Sequence, residues 1–304
     1  KGQIVNTNFS KPSALVTKPN GLIEEVTLTQ NGTSFSLSFP FAEKGYYSFE
    51  INVQGTLGPQ PATNFVVAVG VPQLPPKEDS ASATDITDLA QARQTLLQIL
   101  NQDRQTFGSS PLQLDESLNL AAQNHSEDMA KNNFMGHISP INGSVQEQAN
   151  KAGISEVVAQ NIAASRGLEA SQFELMTSPG HRRTILNPEH THVGFGIKLS
   201  DGFLLVTQDF MRRKILLDAL PRTAAPNSTL IVSGKIIDRQ GLVAVFLNKN
   251  IVEDPIDASK NSSFSVSVKL PASGTATINM GVTKEATMGT LTFEFTNTWN
   301  ITLQ

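Results

Sequence analysis

The spacing of apolar residues changes twice along this 304-residue chain, and each change marks a change of element type. Between Val26 and Thr29, Ser34 and Phe39, and Tyr47 and Val53, apolar and polar residues alternate with period two, punctuated by Asn31-Gly32 and Gly55. That period fits strands with one buried face. After Pro72, Pro75 and Pro76 the spacing becomes helical, with Leu89, Ala92, Leu96, Ile99 and Leu100 on one face and Thr87 or Asp88 placed to cap it. From about residue 214 the period returns to two in Thr229 to Ile237, Leu242 to Leu247, Ser263 to Leu270, Ala276 to Met280 and Leu291 to Phe295. One sheet cannot use both periods, so the chain reads as multidomain. We expect a β-sandwich over 1–71, a linker over 72–87, an α+β domain over 88–213 and a second β-sandwich over 214–304. The linker follows from prolines that stiffen the chain and a small polar run, Lys77 to Thr84, that cannot build a core.

Within the first sandwich, Glu43-x-Gly45-x-Tyr47-x-Phe49 resembles the tyrosine corner of immunoglobulin-like domains. The alternative is that Tyr47 only begins an inward stripe of Tyr47, Phe49, Ile51 and Val53. In the middle segment, helices are expected from about 115 to 132, near 169–176 and from Pro179 to Leu186, the last ended by Asn187-Pro188. Two strands should follow, 192–198 and 203–210.

All five histidines lie between His125 and His192. Imidazole is the side chain best suited to proton transfer and metal binding near neutral pH, so any such chemistry belongs to this segment. His181 falls in the first turn of the Pro179 helix. There Ser178 is placed to cap, Pro179 suits the first position, and the positive end of the helix dipole favours a neutral ring. His137 sits on a loop before Ser139-Pro140, where functional groups are often held. His125 lies on the Ala121/His125/Met129 stripe of its helix and reads as a buried structural histidine. His190 and His192 share a face by alternation and resemble a two-ligand pair, but no third ligand is evident, so they read as rim or surface groups.

The order of short phrases is more specific. Asn101-x-x-Arg104, Gly108, Pro111-Leu112, Ala122-x-x-His125-Ser126-x-Asp128-Met129-Ala130, Phe134-x-x-His137-x-Ser139-Pro140, Gln160-Asn161-Ile162-Ala163, Ser178-Pro179-Gly180-His181-Arg182-x-x-Ile185-Leu186-Asn187-Pro188 and Val193-Gly194-Phe195-Gly196 follow one another. Residues 88 to 213 thereby resemble the bacterial branch of the CAP superfamily: cysteine-rich secretory proteins, antigen 5 and pathogenesis-related 1 proteins. The resemblance implies an α-β-α sandwich, export, and a central cavity shared by His137, Gln160 and His181. It also implies a glutamate in the Gln160 phrase, where Gly-Glu-Asn-Ile-Ala is expected. A glutamine amide is neutral and a poor ligand to a transition metal, so an acid/base or metal role is weakened. Glu147 and Glu156 are near in sequence, with nothing to place them in the cavity.

These features bound the function. Zero cysteines exclude disulfides and thiolate chemistry, and point to a bacterial CAP protein rather than the disulfide-rich animal and plant ones. A net charge of −4 provides no basic surface for nucleic acid. No apolar run reaches the roughly 18 residues that a transmembrane helix needs. The sequence starts at Lys1 with neither an initiator methionine nor a signal peptide, which fits a mature exported protein or a trimmed chain, and an extracellular or periplasmic location is expected. No Gly-x-Ser-x-Gly elbow or His-Glu-x-x-His phrase occurs. The leading expectation is therefore non-enzymatic binding of a ligand, cell-wall, lipid or protein partner through the central cleft, with the β-sandwiches as adhesion or spacer modules. No cofactor is expected beyond a weakly bound divalent metal such as zinc on His137 and His181. The rival readings are a hydrolase using His137 and His181, with or without a metal, and a lipid- or sterol-binding module.

Overall fold

A computed structural model describes residues 1–6, 8–73, 83–237, 240–287 and 290–304. The centre of the expected linker, residues 74–82, lies outside them. The described chain is a mixed α+β structure in which strands predominate. It forms two compact units, Lys1–Gln148 with Val158–Phe210, and Ala149–Val157 with Met211–Gln304.

In the first unit, helices α1 (Leu89–Thr106), α2 (Glu116–Asn132), α3 (Val145–Lys151), α4 (Leu168–Thr177) and α5 (Pro179–Leu186) surround a four-stranded sheet, α3 running on into the second unit. Its strands run in the order Gln113–Leu114, His192–Ser200, Phe203–Met211, Val158–Ser165. Asp88 caps α1 by accepting from Gln91 N at 2.9 Å. Asp115 caps α2 by accepting from Ser117 N at 3.0 Å and Leu118 N at 3.1 Å. These bonds satisfy amide groups that a helix start leaves open.

Alternation along the sheet assigns its two faces. Val193, Phe195, Ile197, Leu204, Val206 and Phe210 pack with Ala92, Leu96 and Leu100 of α1, Leu175 of α4 and Ile185 of α5. On the other face Leu205 and Ile162 meet Met129 of α2. The Val193-Gly194-Phe195-Gly196 phrase now has a physical cause. A Cβ at Gly194 would lie 2.2 Å from the Leu118 carbonyl carbon, and one at Gly196 would lie 2.0 Å from the Ala122 oxygen, so only glycine lets α2 seat against this strand. At that contact α2 also serves the strand backbone. Asn119 accepts from Phe195 N at 2.9 Å, and the Gln123 amide bonds both Ile197 N and Ile197 O. These side chains take the place of a longer neighbouring strand.

The N-terminal strands of the same unit form a sheet in the order Ile23–Val26, Ser10–Thr17, Gly45–Gly55, Gly58–Val69, and a small three-stranded one. Tyr47, Phe49, Ile51 and Val53 are all buried, as the stripe requires. The Tyr47 hydroxyl does more than pack, accepting from Glu43 N at 2.9 Å and donating to Glu43 O at 3.1 Å. In the second unit, a three-stranded and a six-stranded sheet enclose one apolar cluster that includes Val232, Phe264, Val266, Val268, Ile278, Met280 and Ile301.

Candidate functional site

His137 and Gln160 come together although 23 residues separate them. His137 Nδ1 and Gln160 Oε1 are 3.0 Å apart. The loop carrying His137 is fixed on three sides. Gln148 Nε2 donates to His137 O at 3.1 Å, Ile138 N donates to Leu57 O at 2.9 Å, and a Cβ at Gly58 would meet His137 Cβ at 3.4 Å. The turn between strands Gly45–Gly55 and Gly58–Val69 therefore walls the histidine loop. Beyond it, Ser139, Asn142 and Asn132 donate to Asp128 and hold its carboxyl below the usual carboxylate range, against the burial that opposes this.

Gln160 lies on strand Val158–Ser165, and its other end is also engaged. Gln160 Nε2 donates to Asp209 Oδ1 at 3.0 Å. Asp209 is buried on strand Phe203–Met211, and burial pushes its carboxyl up to about 7, with the Gln160 bond a smaller opposing influence. The sequence patterns above do not single out this residue. The signal was available: a carboxylate inside the apolar run Leu204 to Phe210 needs a partner.

His181 sits in the first turn of α5, and Asn161 Nδ2 donates to its carbonyl at 3.1 Å. Burial first and the neighbouring His137 second push the His181 ring down to about 4. Burial also lowers His137, with the Gln160 bond opposing. Both rings are neutral at pH 7. Burial is the largest cause of that neutrality for both rings.

The cap of α5 corrects a second expectation. The Ser178 side chain makes no capping bond to the helix backbone. Its hydroxyl donates instead to Glu50, whose other oxygen accepts from Gly180 N at 3.2 Å and from Asn52 Nδ2 at 2.7 Å. Glu50 projects from strand Gly45–Gly55 on the face opposite Tyr47 and is only 1% exposed, because α5 packs over that face. A carboxylate from the N-terminal sheet thus takes the position that a capping side chain or an anion favours.

His125 is buried, with Nε2 3.0 Å from the Gly136 carbonyl and its ring driven by burial to about 4. His190 stacks on Phe210 and bonds Thr184 O at 3.1 Å. His192 is 4% exposed, so the rim reading fails for it: the His192–Ser200 strand is covered at its start. Glu147 bonds Ser144 N at 2.7 Å at the start of α3, and Glu156 pairs with Arg213 at 2.8 Å in the second unit. Neither bond reaches the site residues.

The donor set does not fit a tetrahedral zinc ion. The Gln160 oxygen is taken by His137 Nδ1 and the amide nitrogen by Asp209, and among the described residues no carboxylate is hydrogen-bonded to either ring. Among the described residues, no three His, Asp or Glu side chains gather in a metal-binding group. Among the described residues, no helix is long and apolar enough to cross a membrane.

Residues 97–210 match the Cysteine-rich secretory protein family, CAP. The uncharacterized protein YkwD of Bacillus subtilis is 38% identical over 103 residues, 33% of this chain and 40% of that protein. The uncharacterized membrane protein YlbC of the same organism is 30% identical over 120 residues, 39% of this chain and 34% of that protein. The matches thus span well under half the length of either relative. Among solved structures, an extracellular protein containing an SCP domain from Bacillus anthracis is 29% identical over 40% of each chain, with a TM-score of 0.37.

Proposed function

We propose that the CAP domain of residues 97–210 is a binding module, with His137, Gln160 and His181 lining its cleft as neutral hydrogen-bonding groups. The observation that carries this reading is the bridge His137–Gln160–Asp209, which engages both ends of a neutral amide with protein neighbours. Ser178 is likewise consumed by Glu50, which argues against a serine nucleophile. Neutral imidazoles suit an uncharged polar ligand, and the partner class we favour is cell-wall polymer. In this reading the protein is exported and the flanking strands form Ig-like adhesion or spacer domains. The Tyr47 bonds to Glu43 support that assignment for the first of them.

One groove favours the lipid reading. It is lined by Met129, Phe134, Met135, Phe203 and Leu205 among others and measures about 230 Å³. That is below the roughly 300 Å³ at which pockets for drug-sized ligands begin, and its lining includes neither His137 nor His181. Co-sedimentation with purified peptidoglycan sacculi tests the proposal. The full chain should bind, and His137→Ala/His181→Ala should weaken binding about tenfold, the equivalent of about 1.4 kcal/mol. Equal binding by both forms sinks the cleft assignment. Release of soluble fragments by the native chain alone would restore the hydrolase reading.

A further inference from the structure

We infer that Asp209 is the positioning residue of the candidate site: through the Gln160 amide it determines which ring nitrogen of His137 carries the proton. The inference rests on the reading of His137 as a ligand-facing group, but its test needs no ligand.

An ionised carboxylate only accepts, whereas a glutamine amide has one accepting end and one donating end. With Asp209 ionised, Gln160 must turn its NH₂ toward Asp209, as the 3.0 Å contact from Nε2 to Oδ1 records. Its oxygen then faces His137 Nδ1, also at 3.0 Å, and can only accept. His137 is a neutral ring and must supply the hydrogen from Nδ1, leaving Nε2 as a lone-pair acceptor for whatever enters the cleft. In this part-buried bridge the wrong tautomer would leave two acceptors facing each other, which costs free energy.

The same geometry explains why residue 160 is an amide. A glutamate there would bring a second carboxylate against Asp209 at hydrogen-bond distance, and two such groups cannot both ionise. With an acid at 209 and an amide at 160, the amide is the neutral link between the carboxylate and the His137 ring.

The device also responds to pH. A protonated Asp209 can donate as well as accept, so the amide is free to turn and the constraint on His137 is lost. The titratable or charged groups on the elements around Asp209 are Glu116, His125, Glu127, Asp128 and Lys131 of α2, His137 of the loop, His181, Arg182 and Arg183 of α5, and His192 and Lys198 of the adjoining strand. Burial and the Gln160 bond, rather than those charges, govern its carboxyl, which titrates at about 7. Burial holds the His137 ring below its ordinary value, with the Gln160 bond opposing.

The experiment is long-range ¹H–¹⁵N correlation on the ¹⁵N-histidine-labelled full chain, with His137→Asn to assign the signal. At about pH 8.5, well above the Asp209 titration, the His137 ring should be protonated at Nδ1, and a second tautomer should grow in as the pH falls through about 7. In Asp209→Asn the residue can donate or accept, so a mixed tautomer should be present at every pH. In Gln160→Glu/Asp209→Asn the acceptor-only group touches His137 directly, and the single Nδ1–H form should return. The signals of the other histidines report whether each variant is folded. An Nε2–H ring in the native chain at the alkaline end, or the same tautomer population in native and Asp209→Asn protein, would overturn the assignment. Sacculus binding is a separate readout, so either idea fails without the other.

Discussion

The two strand-rich regions that flank the helical segment are stabilised in opposite ways. The C-terminal strands enclose sixteen buried apolar residues in one cluster, from Ile215 to Ile301, whereas the described residues of the N-terminal sheet bury Ala14, Leu15, Val16, Tyr47, Phe49, Ile51 and Val53. The N-terminal sheet compensates with its second face. Strands Ser10–Thr17 and Gly45–Gly55 pack on α5, Glu50 binds Ser178 and Gly180 there, and Arg183 pairs with Glu25 at 3.0 Å. Burying a large aliphatic or aromatic side chain is worth about 1.5–3 kcal/mol, so the cluster of sixteen favours a self-sufficient sheet pair more than the seven buried apolar residues of the N-terminal sheet do. Two regions with similar strand patterns thus differ in autonomy, and the less autonomous one touches the candidate site.

The strongest way to break this comparison is to cut the chain. A fragment of residues 214–304 should unfold cooperatively with dispersed amide resonances, while residues 1–71 alone should show neither. A folded 1–71 fragment would mean that its contacts with α5 are incidental.

Acid should separate the regions next. All five histidines lie in the first unit, and His125 and His181 titrate at about 4 when folded, against 6.5 for an unperturbed imidazole. Between those values the unfolded chain binds more protons, so stability present above about pH 6.5 is lost as the pH falls toward 4, by about 3 kcal/mol per histidine. Asp209 acts with the opposite sign. Its folded value of about 7 exceeds 3.8, so its contribution is full below 3.8 and is lost as pH rises through 7. The first unit should therefore be most stable near pH 6.5, while the histidine-free second unit keeps a nearly constant melting temperature from 6.5 to 4. Calorimetry that shows both transitions moving together across this window would contradict the account.

The smallest expected effect is local. Glu50→Ala removes the cap of α5 and leaves the Gly180 amide and the Ser178 hydroxyl without their acceptor, at a cost of about 1–3 kcal/mol to the first unit. Thermal unfolding should register that loss only in the first unit's transition. An unchanged midpoint would show that the Glu50 contact does not tie the sheet to α5.

Local signals carried much of this fold. Asp88, Asp115 and Pro179 mark helix starts by bonds and torsions confined to a few residues, and the Tyr47 stripe marks a buried strand face by alternation. Helix α3 escapes detection because seven residues offer too little periodicity. The candidate site was half legible: the phrases named His137, Gln160 and His181, and the structure joins His137 to Gln160 and places the His181 ring near enough to feel His137.

The amino-acid pattern alone located most helices and strands, α3 and the strand Val158–Ser165 excepted, marked several helix starts, and confined histidine chemistry to one segment. Only the tertiary structure decided that Glu50 faces a helix start rather than water, that Ser178 serves Glu50 rather than its own helix, and that Asp209 completes the Gln160 bridge. The physical reason is common to all three. Period and capping depend on neighbours along the chain, whereas the burial of a polar group and the partner that satisfies it depend on which surface is laid over it.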